Sequence, residues 1–102
     1  MNKFEYIKCF WNDTDDETPV LLFYEVDPEN ERYARRMTEV FPDRSVRRAI
    51  LEEGFDFVTE APVPTVDEIN KGSEFYAIII SREEFDSVYD AEKYLGEITF
   101  PK

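Results

Sequence analysis

Histidine is absent from this 102-residue chain, cysteine occurs once and glycine three times. Each shortage removes a class of chemistry. Without histidine, the commonest general base and metal ligand of proteins is gone. A single cysteine, Cys9, can form no internal disulfide and cannot build a structural zinc site; within its apolar run it reads as a small core residue. Gly54, Gly72 and Gly96 stand too far apart to cradle a phosphate. No apolar run is long enough to cross a bilayer, and the start MNKFEYIKCFW is broken by Lys3, Glu5 and Lys8, unlike a secretion signal. The expectation is a cytoplasmic protein with no membrane segment, metal, cofactor or catalytic residue.

Positive charge is also scarce: 12 Lys and Arg stand against 24 Asp and Glu, a net charge of −12. Phosphates would be repelled by such a surface, so direct nucleic-acid binding is not expected, whereas a basic protein partner is. The basic residues are unevenly placed. Residues 28–51 hold Arg32, Arg35, Arg36, Arg44, Arg47 and Arg48 against Glu29, Glu31, Glu39 and Asp43. They carry +2 between an N-terminal stretch of −5 and a C-terminal stretch of −9. The pairs Arg35/Arg36 and Arg47/Arg48 are expected to neutralise neighbouring carboxylates rather than to bind an anion.

What the chain has in plenty is apolar and aromatic side chains, 42% and 16% of residues, enough for one domain over 1–102 with a packed core. Residues 4–11 alternate as a strand, and Val20 to Val26 form a near-continuous apolar run expected in a central strand. A polar connection joins them into a hairpin, and Pro19 opens the second strand. Asp27-Pro28-Glu29 is a helix start, and Tyr33, Ala34, Met37, Val40 and Phe41 recur at helical spacing. The same region also reads as strand, turn, strand around Pro42–Ser45, so periodicity leaves helix and strand open at 28–37.

Residues 52–64 form a connection broken by Gly54 and extended by Pro62 and Pro64. Thr65 caps a short helical turn. Phe75–Ile80 reads as a second buried strand, in which Ile78 and Ile80 are expected in the core with Leu22 and Tyr24. Ser81 and Glu84 form a capping box for a helix with Phe85, Val88 and Tyr89 on one stripe, ended by Gly96.

Carboxylates concentrate at Asp13, Asp15, Asp16 and Glu17, and again at Glu52, Glu53 and Asp56. The first group begins like a calcium loop but fails it: the glycine and the bidentate glutamate that such a loop requires are replaced by Thr18 and Tyr24. It is either a solvated hairpin tip or part of a surface offered to a basic partner. All seven acids lie in connections, where side chains project without disturbing a sheet. Three strand crossings separate the two groups, which places them at opposite ends of a meander.

IKCFW, PVLLFYEVD, then ERY with Arg36, Glu39, Phe41 and a proline–aspartate turn, followed by PVPTVDEIN, Glu74-Phe75 and ISREEFDSVY, appear in this order and spacing. Together they resemble an uncharacterised family of small acidic bacterial proteins over about residues 4–89. The family has a glycine-containing hairpin where this chain has Pro42–Ser45. The resemblance implies that 36–41 and 46–51 are paired strands, and strand is adopted there. The fold implied is α+β, an antiparallel sheet of four to six strands with a C-terminal helix packed on one face. Proteins of this kind look like the immunity proteins of contact-dependent growth inhibition. That likeness implies a non-enzymatic inhibitor of a cognate toxin domain, in particular a basic nuclease, with Asp13, Asp15, Asp16 and Glu17 as the main contact and Glu52, Glu53 and Asp56 as the second. A nucleic-acid-mimicking inhibitor from a phage or plasmid and a carboxylate-based enzyme are the alternatives.

Overall fold

The computed structural model describes residues 4–12 and 15–101. Its strands are β1 (Glu5–Trp11), β2 (Leu21–Asp27), β3 (Tyr33–Val40), β4 (Val46–Arg48) and β5 (Phe75–Ile80). Two helices, α1 (Val66–Ile69) and α2 (Arg82–Tyr89), flank β5 in the chain. The five strands form one antiparallel sheet in the order β4-β3-β2-β1-β5, an α+β fold with α2 laid across one face. Among the described residues, no helix is long and apolar enough to cross a membrane.

The apolar run at 20–26 supplies most of β2 and takes the central place expected of it. β2 pairs with β1 through Lys8 opposite Phe23 and with β3 through Phe23 opposite Thr38, so both of its edges are closed. One face of the sheet carries Tyr6, Phe10, Leu21, Phe23 and Val40, which pack on Phe85 and Val88 of α2. The other carries Ile7, Cys9, Leu22, Val26, Ala34 and Ala77, covered by Val63 with the partly buried Val58, Val66 and Ile69. Leu22 is buried as expected, but Tyr24, Ile78 and Ile80 are only half-buried.

For Ile78 and Ile80 the difference follows from topology. β5 returns to the free side of β1 and becomes an edge strand, with Ile79 57% exposed. Its outer side is not left open at Ala77: the Asn70 side chain donates to the Ala77 carbonyl at 2.9 Å and accepts from its amide at 2.6 Å. A side-chain amide thus imitates one rung of a neighbouring strand, which blunts the edge. Asn70 is held there by α1, whose N-terminus has the full capping box of Thr65 and Glu68.

The helical spacing of 33–41 is overridden by strand pairing. β3 begins at Tyr33, three residues before the expected start, because its early part pairs with Val26 and Asp27 around a bulge that leaves Arg35 unpaired. Before it, Asp27 caps a single turn of 3-10 helix, Pro28–Asn30. β4 is shorter than the expected 46–51 and stops at Arg48. The hairpin between them closes without glycine: Arg44 adopts φ +73, and Asp43 Oδ1 accepts from Ser45 N at 2.9 Å and from Ser45 Oγ at 2.6 Å. Asp and Ser side chains make such turns by bonding the local backbone.

The C-terminal helix is also shorter than expected. It starts where Ser81 accepts from Glu84 N, but ends at Tyr89 rather than near Gly96. The chain then straps back to the β3–β4 turn. Tyr94 N donates to Arg44 O at 2.9 Å, and Arg44 donates to the carbonyls of Tyr94 and Gly96 at 2.9 and 2.7 Å.

Candidate functional site

The six arginines of the middle stretch are all engaged within the fold. Arg32 pairs with Glu5 at 2.9 Å and donates to Val63 O. Arg35 lies 3.6 Å from Asp27. Arg36 takes Glu25 in a two-pronged grip, Nε to Oε1 at 3.0 Å and a terminal nitrogen to Oε2 at 2.7 Å, and reaches Asp86 at 2.9 Å. The expectation of carboxylate partners therefore holds for Arg35 and Arg36. It is corrected for the other pair: Arg47 lies over the Phe41 ring, and Arg48 donates to Tyr89 O and lies over that ring. Guanidinium groups favour aromatic faces as readily as carboxylates, and β4 puts these two beside rings.

Besides Asp27, which faces Arg35, two charged side chains among the described residues are buried, Glu25 and Lys8. Burial alone would raise the Glu25 pKa, but hydrogen bonds from Arg36 and Tyr6 and the Arg36 charge outweigh it and hold the carboxyl below its ordinary value. Lys8, 5% exposed, donates to Tyr94 Oη at 2.7 Å and lies over the rings of Phe10 and Tyr94. Both belong to the packing of α2 and the C-terminal strap. Cys9 is buried on the opposite face, where burial pushes its thiol up to about 12. No group of three or more His, Cys, Asp or Glu among the described residues could hold a metal ion.

The acids singled out by the sequence separate into two places. Asp13 lies outside the described residues. Asp15, Asp16 and Glu17 are exposed at the tip of the β1–β2 hairpin, where Asp15 Oδ1 accepts from Glu17 N at 2.9 Å. Asp16 and Glu17 line a shallow groove of about 580 Å³ with Phe41, Pro42 and Asp43 of the β3–β4 turn. Glu52, Glu53 and Asp56 are exposed in the connection from β4 to α1. Glu52 and Asp56 line a groove of about 430 Å³ that also includes Tyr33, at the start of β3. The hairpin tip lies by the end of β3 and the second group by its beginning, so the two groups occupy opposite ends of the sheet.

Sequence reasoning missed the apolar residues among these acids. Ile50 and Leu51 were expected in a strand and Phe55 in a plain connection, yet they are 86%, 48% and 62% exposed. The available signal was the stretch ILEEGFDF itself, in which large apolar residues alternate with acids around a glycine. Both ends of the sheet thus carry carboxylates outward on loops, with exposed large apolar side chains among them at the end that holds Ile50, Leu51 and Phe55.

Fold and surface together define a small, strongly acidic α+β domain whose loops at both ends of the sheet carry exposed carboxylates. The chain belongs to the family described as domain of unknown function DUF6881, which matches residues 5–94. No curated protein and no solved structure matches it.

Proposed function

We propose that this protein is an immunity protein: it binds a cognate toxin domain with a basic active surface and blocks it in the cytoplasm of the bacterium that makes both. The observation that carries this reading is the disposition of charge. The six arginines of residues 28–51 each contact a carboxylate, a carbonyl or a ring of the fold, although Arg35, Arg47 and Arg48 remain exposed, and the exposed Asp15, Asp16, Glu17, Glu52, Glu53 and Asp56 belong to a chain of net charge −12. An outward-facing negative field speeds encounter with a basic protein and repels nucleic acid. A nuclease toxin must be basic around its substrate groove, so one acidic domain supplies both steering and complementarity. The work is done by binding, without a reaction of its own.

The test is co-expression with the protein encoded next to it. Co-purification of the two, and survival of cells that express the toxin domain only when this protein is present, are the expected results. Unchanged killing with no complex formed would overturn the reading.

A further inference from the structure

The loop between β4 and α1 carries more than charge. Both of its ends are tied to the same strand: Ala49 donates to Met37 O and Val58 to Ala34 O, each at 2.9 Å. Residues 50–57 are thereby pushed out from β3 as a compact loop with neighbouring ends, an architecture often used for function. Its tip is a turn in which Phe55 N bonds Glu52 O at 3.1 Å. Gly54, the third residue of that turn, adopts φ +90, which a side chain would oppose, although nothing lies within 4 Å of where a Cβ would stand. Rooting and turn together hold the tip in one shape.

Five large hydrophobic residues are exposed on the described part of the protein, and three of them, Ile50, Leu51 and Phe55, are on this loop. Ile50 and Phe55 line the 430 Å³ groove together with the carboxylates of Glu52, Asp56 and Glu60. No cation among the described residues lines the groove; Arg35, 44% exposed, lies beside it between Asp27 at 3.6 Å and the Phe57 ring at 5.8 Å. The loop itself, residues 50–60, contains four acids and no base. The groove thus joins an apolar contact area to a negative rim with no cation of its own, the arrangement of an interface core and its polar border.

We infer that this loop docks a basic polypeptide segment that presents one large apolar side chain flanked by lysine or arginine. The inference rests on the reading of the protein as a binder of a basic partner, and it assigns the contact to the Ile50–Glu60 loop ahead of the hairpin tip. The tip has carboxylates but no exposed large hydrophobic residue among its described positions. Charges at a rim set encounter rate and salt dependence, whereas desolvated apolar anchors carry most of the binding energy. Two other occupants fit less well. An anionic membrane surface would meet Glu52, Asp56 and Glu60 with like charge. A second copy of the chain would bring two such rims together.

The probe is a fluorescein-labelled peptide with leucine between pairs of lysines, compared with the same peptide carrying serine in place of leucine. Binding to the full chain is followed by anisotropy and mapped by NMR amide shifts. The leucine peptide should bind at least ten-fold tighter, with shifts concentrated at residues 50–60. Phe55→Ser should weaken it by ten-fold or more, and Glu52→Gln with Asp56→Asn and Glu60→Gln should flatten its salt dependence. Because these side chains are exposed, thermal unfolding of each variant should match the parent. No binding, equal binding of the two peptides, shifts confined to Asp15–Glu17, or self-association or binding to anionic vesicles through Phe55 instead, would each overturn the assignment. Toxin capture that survives Phe55→Ser would remove the loop and leave the immunity reading standing. Peptide docking on the loop without any toxin captured would do the reverse.

Discussion

Arg36 of β3 grips both carboxylate oxygens of Glu25 on the neighbouring β2, at 3.0 and 2.7 Å, while its guanidinium lies 4.9 and 4.8 Å from the ring centres of Phe85 and Tyr89 in α2. One side chain thus joins two strands and the helix. Glu25 is 6% exposed, so loss of its partner leaves a buried charge uncompensated. Arg36→Ala is expected to destabilise the fold by about 3 kcal/mol, the lower end of what breaking such a pair costs. Urea unfolding measures it, and a loss below half of that would mean that Glu25 finds water or Tyr6 sufficient.

The same pair predicts a pH dependence. The Glu25 carboxyl titrates lower in the folded protein than in the unfolded chain, where a glutamate titrates near about 4.3. A depressed pKa contributes stability that is present above the unfolded value and is lost as pH falls through the folded one. Stability should therefore decline on acidification below about pH 4.3, and the gap between the parent and Glu25→Gln should narrow over that window. The exposed carboxyls of Asp43, Glu68 and Glu97 are also held low by hydrogen bonds and shift in the same sense. Unfolding midpoints between pH 3 and pH 7 that fall in parallel for both proteins would assign the acid limb to those groups instead.

Phe85 is fully buried between the sheet and Tyr89, 5.3 Å from Tyr6, and it anchors α2. Phe85→Ala should cost about 3–5 kcal/mol, the range for emptying a buried phenylalanine site. Ile78→Ala, half-buried on an edge strand, should cost less than about 2 kcal/mol, below the range for a fully buried isoleucine. The order of the two losses is the test. An Ile78→Ala loss as large as that of Phe85→Ala would contradict an edge position for β5.

Cys9 faces away from α2, 3% exposed, with its thiol pushed up to about 12 by burial. The thiolate is the reactive form, so the native protein should react negligibly with a thiol reagent at neutral pH. Addition of urea through the unfolding transition should release one rapidly reacting thiol per chain. Fast labelling of the native protein would show that the covering segment around Val63 opens readily.

Local chemistry determined a large part of this molecule. The alternation at 4–11 and the apolar run at 20–26 specify strands because period-two burial and continuous apolarity are written in adjacent residues. Thr65 and Ser81 specify helix starts because a cap acts within three residues of itself. The acidic excess and the lack of histidine needed no structure at all. The tertiary structure decided what depends on partners distant in the chain. Tyr33 to Val40 has helical spacing, but Leu21–Asp27 offers it a ladder, and pairing outweighs a weak local preference. β5 reads as a core strand until the order β4-β3-β2-β1-β5 leaves it at the edge of the sheet. The exposure of Ile50, Leu51 and Phe55 was equally hidden, since two hydrogen bonds to β3, at Met37 and Ala34, push that loop outward. Hydrophobicity tells which side chains favour burial; which of them achieve it depends on where the rest of the chain runs.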